Sequence, residues 1–338
     1  MKLSELGEFG LIAKIREHFP APDGVTGIGD DCAVLPQNTG HQTLVSTDML
    51  VEGTHFLLDR IPPYDLGWKS AAVNLSDIAA MGGQPTGTFL SLALPASTDS
   101  DWVDGFLRGY ADVSARFSTP LLGGDTTGSP DRICINVTVL GEAPYATARK
   151  RSDAKKGDLI CVTGPLGDSA AVLKAVLDSV EHDPDVQKLI ERHYRPMPRV
   201  VEGQQLRLNL GVHAMMDISD GIGSDLMHIL EASEMNAEIN LASLPFSLAL
   251  KHVCQRFGWD PAELAVCGGE DYELLFTCTP QAEMLLTIPH FVIGRITDRA
   301  HGTPEITWRG APSSFSGTPS SFAGLTGESL GFDHFRKD

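Results

Sequence analysis

Between residues 41 and 142 the spacing of apolar positions switches repeatedly between two patterns. "HQTLVSTDML" (41–50) interleaves β-branched and apolar residues with polar ones and predicts a strand. "YDLGWKSAAVNLSDIAAMG" (64–82) moves to helical spacing and stops at Gly82. "GTFLSLALP" (87–95) reads as a strand, "DWVDGFLRGYADVSARF" (101–117) as a helix and "RICINVTVLGE" (132–142) as a strand. A polar, basic stretch, "YATARKRSDAKKGD" (145–158), then breaks the pattern. A strand-turn-helix unit follows in "DLICVTGPLGDSAAVLKAVL" (158–177), then strands at "HAMMDIS" (213–219), "AEINL" (237–241) and "YELLFTC" (272–278) and a helix at "GIGSDLMHILEAS" (221–233). Both stretches are α/β or α+β in character.

A chain of 338 residues is about twice the usual domain size, so two domains are expected, 1–147 and 148–338. Hydrophobic residues at 42% and charged residues at 21% fit a globular protein. Lys and Arg total 26 against 44 Asp and Glu, a formal charge of -18 that repels nucleic acid and anionic membranes. A polyanionic ligand must therefore bring cations. The six cysteines lack C-x-x-C spacing and read as reduced thiols. The start, "MKLSELGEFGLIAKIREHF", reads as an amphipathic helix without a signal-peptide core, and no apolar run reaches membrane-spanning length. The expected location is the cytoplasm. Residues 310–327, rich in Gly, Ser and Pro, predict a loop that acts as lid or linker.

Acidic residues beside glycines or at strand ends carry the candidate chemistry: Asp30, Asp31, Asp48, Asp77, Asp125, Asp217, Asp220, Glu270 and Asp271. Ligands in α/β proteins gather at the carboxyl ends of strands, and carboxylates converging there need cations. Hard divalent ions with oxygen ligands satisfy that need, and Ser46 and Thr47 can add oxygens beside Asp48. The competing reading makes these aspartates helix caps and turn formers. No G-x-x-x-x-G-K-[ST] stretch is present; "GIGDDC" lacks the third glycine of a dinucleotide fingerprint, and "DISDGIGSDL" lacks the order of an EF-hand. "TGPLGDSAA" (163–171) opens a helix whose N–H groups can hold an anion or form an ordinary turn. Arg149, Lys150 and Arg151 can meet a phosphate or stay solvated.

In order along residues 27–277, "GIGDDCAVL", "STDMLVEGTHF", "AVNLSDIAAMGGQP", "LLGGDTT", "DISDGIGSDL" and "GGEDYELLFT" resemble the thiamine-monophosphate kinase family. That family sits in the group of ATP-using enzymes that includes aminoimidazole ribonucleotide synthetase. The resemblance implies an α/β (α+β), two-domain fold of that type, with the first domain forming a shared β-barrel across a homodimer. It implies transfer of the ATP γ-phosphate to thiamine monophosphate through several Mg²⁺ ions, without a P-loop. Carried over by position, the metal ligands would be Asp31, Ser46, Thr47, Asp48, Asp77, Asp125, Asp217 and Asp220. Tyr110, Gly124, Asp125, Arg151 and Ser219 would touch the nucleotide, and His55 and Glu270 the thiamine phosphate. One departure is Ser329, where the family often has a substrate-stacking tryptophan; Phe332 or Trp308 would have to stand in. The rival readings are a ligase of the same group and a nucleotide or metal sensor without turnover.

Overall fold

The computed structural model describes residues 30–36, 40–299 and 302–310. The N-terminal helix, most of the 310–327 loop, Ser329 and Phe332 lie outside them. The first sheet has the order β1-β2-β5-β3-β4, built from β1 (Ala33–Pro36), β2 (His41–Val51), β3 (Gln84–Pro95), β4 (Leu121–Ser129) and β5 (Cys134–Pro144). It is antiparallel except for the β3–β4 pair. Along β5, Ile135, Val137 and Val139 are buried while their neighbours are half-covered, so one face of this sheet is packed and the other is open.

The packed face carries α1 (Pro63–Ala80), along which α2 (Ser100–Arg116) runs. Glycines let the two helices approach closely: a Cβ on Gly67 would stand 1.9 Å from Phe106 O, and one on Gly109 1.8 Å from Tyr64 O. α1 is buried on nearly every side, because its far flank is covered by the second half of the chain.

That half is built on a sheet ordered β11-β8-β10-β6-β9-β7, from β6 (Leu159–Val162), β7 (Val212–Asp217), β8 (Asn236–Asn240), β9 (Leu274–Cys278), β10 (Phe291–Thr297) and β11 (Ile306–Arg309). Only β11–β8 is parallel. Its helices are α3 (Asp168–Leu177), α4 (Pro184–Tyr194), α5 (Val200–Leu208), α6 (Ile222–Ser233), α7 (Leu248–Phe257), α8 (Pro261–Cys267) and the short α9 (Pro280–Glu283). One sheet face packs Ile160, Val162, Ala214 and Met216 against α6 residues such as Leu226 and Leu230. The other packs Cys161, Met215 and Phe276 against Val200 and Leu206 of α5 and Ala79 and Ala80 of α1. β7 and β9 are therefore covered on both faces, which explains their nearly continuous apolar sequences. Among the described residues no helix is long and apolar enough to cross a membrane.

Candidate active site

The site forms where α1 passes between the two sheets. Ser46 and Asp48 lie on the face of β2 that meets α1, with Leu44 and Leu50 buried on either side. Ser46 Oγ donates to Asp77 Oδ2 at 2.6 Å, and the buried Asn74 accepts the Asp48 N–H at 3.2 Å. From the same helix Ser76 Oγ reaches the second half, donating to Asp217 Oδ2 at the end of β7 at 2.5 Å. Carboxylate oxygens of Asp31, Asp77 and Asp217 lie within 4.8 Å of one another. Asp30 and Asp31 both grip Arg151: Asp30 Oδ1 accepts its backbone N–H at 2.9 Å, and Asp31 takes its guanidinium at 2.7 and 3.3 Å.

Crowding this many carboxylates in a covered place penalises their charged forms. Burial and the Asp31 charge push Asp217 up to about 8, and the same two causes push Asp48 up to about 6. Asp77 is raised well above the usual range by burial and then by Asp48, Asp217 and Asp31. The arrangement is thus short of positive charge, and Arg151 supplies one cation to it. Its donors are hard oxygens. Cys32, whose Sγ meets Asp77 O, is buried and held as a thiol, so sulfur offers no competing ligand.

Two loops complete the site. Asp225, in the first turn of α6, accepts the backbone N–H groups of Ser219 and Asp220 at 3.0 and 3.1 Å, fixing the loop that follows Asp217. The "GGED" loop crosses it: Glu270 N–H donates to Ser219 O at 2.7 Å, and a Cβ on Gly269 would stand 2.0 Å from the same oxygen. Burial works against the Glu270 charge, but its pairing with Lys69 of α1 outweighs that and, with the His55 ring a lesser contributor, holds the carboxyl below the usual glutamate range. His55 itself accepts the Val51 N–H at Nδ1, 2.9 Å away.

Other expected residues lie elsewhere. Thr47 points to the opposite face of β2 from Asp48, where its hydroxyl meets Val137 O and Asn136. Gly124 and Asp125 are on β4, the exposed edge strand, whose partner β3 is separated from β2 by β5. Asp125 pairs with Ser91 in register and its Oδ1 accepts the Thr126 N–H. Three strand spacings, about 14 Å, separate β4 from β2. Tyr110 is sequestered in the core of the first half with its hydroxyl on Thr88 Oγ1 at 2.8 Å, so in this chain it faces no open site. The acceptor at the "TGPLGDSAA" turn is the protein's own: Asp271 Oδ2 takes the Gly167 N–H at 2.7 Å. Arg149 is likewise used internally, on Arg207 O and Asn209 O. Trp308 sits in β11 against the second core.

Lys69, Asn74, Ser76 and Asp225 are site residues that sequence reasoning missed. A lysine inside the otherwise uncharged "GWKSAAVNLS" was the available signal; Asn74 and Ser76 had none apart from flanking Asp77.

Known proteins place this architecture. Residues 29–143 match the family described as AIR synthase related protein, N-terminal domain, and residues 155–307 match its C-terminal domain. The thiamine-monophosphate kinase of Escherichia coli K12 is 46% identical over 279 residues, 80% of this chain and 82% of that protein. That of Haemophilus influenzae is 37% identical over 344 residues, 98% of this chain and 99% of its own. The solved structure of AaThiL complexed with AMPPCP and TMP superposes with a TM-score of 0.84 at 33% identity, covering 99% of each chain. With identity of this order sustained along nearly the whole length, the chain belongs to the thiamine-monophosphate kinase family.

Proposed function

We propose that this chain transfers the γ-phosphate of ATP to thiamine monophosphate, giving ADP and thiamine diphosphate. An oxygen of the acceptor phosphate forms a bond to the γ-phosphorus as the bond from that phosphorus to the β-phosphate oxygen breaks. The observation that carries this is the cluster of Asp31, Asp77 and Asp217, drawn from both halves of a chain that matches such kinases along its length.

Two phosphate dianions about 4 Å apart repel by more than about 10 kcal/mol at an effective dielectric of about 20. The donor set fits a hard divalent cation: Asp31, Asp77 and Asp217, whose oxygens lie together, would hold it, and Ser46, Asp48 and Asp220 would add further oxygens. Magnesium bound there would supply the positive charge that lets the two phosphates approach and line up. The protein's own contribution is placement. Ser46 and Ser76 orient the Asp77 and Asp217 carboxylates by donating to one oxygen of each. Asp225 orders the Ser219–Asp220 loop on the nucleotide side, where Arg151 can offer its guanidinium to a phosphate. His55 and Glu270 hold the thiamine phosphate. A phosphate acceptor is already ionised near neutral pH, so no general base is required.

Thr47 and Asp125 lie on the open side of the first sheet with Met49 and Phe89, and Leu121 and Leu122 at the start of the edge strand that carries Gly124 are exposed as well. This apolar face supports pairing of two copies into a shared barrel, which would bring Thr47 and Asp125 to an interface. The six cysteines are all free, in keeping with a cytoplasmic enzyme.

Incubating the purified protein with ATP, MgCl₂ and thiamine monophosphate, and separating products by chromatography, tests the proposal. Equimolar ADP and thiamine diphosphate are expected, and none with EDTA. ADP release with formylglycinamidine ribonucleotide instead would make the chain a ligase. Nucleotide binding by calorimetry without transfer to any acceptor would make it a sensor.

A further inference from the structure

α1 carries a lysine where burial is costly. Lys69 is 2% exposed on a helix covered by small and apolar residues, and an ammonium without a partner is expensive to bury. Its Nζ lies 2.7 Å from Glu270 Oε1. The glutamate is held from other directions too. Its φ of 64° is a left-handed conformation that a residue with a side chain adopts only under constraint. Its Oε2 lies 3.6 Å from His193 Nδ1, and that imidazole nitrogen shares a 2.8 Å hydrogen bond with Ser169 Oγ. Burial and the nearby Lys69 push His193 down to about 3, so the imidazole is neutral and Lys69 supplies the charge. With all these constraints the Glu270 side chain is still 31% exposed, so one side of it remains open to a ligand.

The placement of Lys69 along the helix matters as well. Seven residues further on, and on the same face, Ser76 donates to Asp217 in the carboxylate cluster. At the rise of an α-helix these two contacts are about 10 Å apart along one rigid element. A carboxylate is a poor neighbour for a phosphate dianion, but a good one for a cationic ring or an amino group. Thiamine monophosphate carries a thiazolium and an aminopyrimidine at one end and its phosphate at the other.

We propose that Lys69 is a positioning residue for the acceptor: it pins Glu270 to α1, so that a thiamine phosphate gripped by Glu270 through its organic end presents its phosphate to the Asp77–Asp217 cluster. The proposal rests on the kinase function stated above.

Steady-state kinetics on the full chain test it, with ATP and thiamine monophosphate varied separately and thiamine, which lacks the phosphate, as a competitive inhibitor. Lys69→Met should raise KM for thiamine monophosphate by about tenfold or more, the scale of a lost hydrogen bond to a charged group. KM for ATP and kcat should stay within about threefold of wild type, and the thiamine inhibition constant should rise in step with the acceptor KM. Lys69→Arg should recover part of the loss, and adding Lys69→Met to Glu270→Gln should cost nothing further, because both act through one contact. An unchanged acceptor KM, equal rises for both substrates, or additive losses would overturn the proposal. If Lys69→Met does not fold, Lys69→Arg decides: a raised acceptor KM at constant ATP KM supports the role, and wild-type values sink it. A wild-type enzyme that turns over no thiamine monophosphate brings down the kinase function itself; an active one with an indifferent Lys69→Met brings down this role alone.

Discussion

Asp217 shows how one side chain couples charge to stability. Its pKa in the folded chain is about 8, against 3.8 for an ordinary aspartate, because burial and Asp31 disfavour its charge. The folded state therefore holds a proton that the unfolded state has released over that interval, and the chain without metal loses stability as pH rises from about 4 towards 8. Melting curves in EDTA across this range should fall with pH, and MgCl₂ should restore most at the alkaline end. Asp217→Asn should flatten that slope and stabilise the EDTA form at pH 8 by on the order of a few kcal/mol. The same change should cut turnover by about a hundredfold or more. A steeper slope, or full activity, would mean that the carboxylate does not hold charge for the reaction. Asp31, Asp48, Asp77 and Asp217 were legible in the sequence because an acid beside glycine or at a strand end is conspicuous. Asp225 was not, since inside "GIGSDL" it looks like any residue in a helix's first turn; only the fold reveals that its oxygen accepts two loop N–H groups.

Among the elements, the strands and helices with clear periodicity were readable: residues 41–50, 64–82 and 101–117 fall on β2, α1 and α2 to within a residue or two at each end. β4 escaped as a strand because "LLGGDTTGS" has little β-forming side chain, and its pairing with β3 is a property of the sheet. The second sheet defeated inference from order along the chain: strands and helices alternate, yet nearly all its pairs are antiparallel. The contact of α1 with α2 gives a direct test. Gly67→Ala would set a methyl 1.9 Å from Phe106 O, so the helices must part. A loss of about 1–3 kcal/mol is expected, measured by urea unfolding. Because α1 carries Asp77, activity at a temperature where the variant is still folded should fall as well; an unaffected variant would show that the helix can shift without disturbing the site.

For the molecule as a whole, the open face of the first sheet makes the assembly testable. Met49 is 57% and Leu122 54% exposed, a large apolar surface for a protein with a net charge of -18. Light scattering on the wild type should give twice the chain mass. Leu122→Lys should shift it towards the monomer and lower turnover, while the melting profile of the second half persists; an active monomer would remove Asp125 from the reaction. The partner was expected from resemblance alone, since nothing in the spacing of residues says which sheet face is left uncovered. α1 has a further bearing on how the protein comes into being. One flank of that helix is roofed by residues synthesised after it, through Ala79 and Ala80 against α5 and Ser76 on Asp217. A nascent chain paused after residue 147 would hold a greasy, half-clad rod at its centre. Expressed by itself, that first half should therefore precipitate, where the whole chain stays in solution.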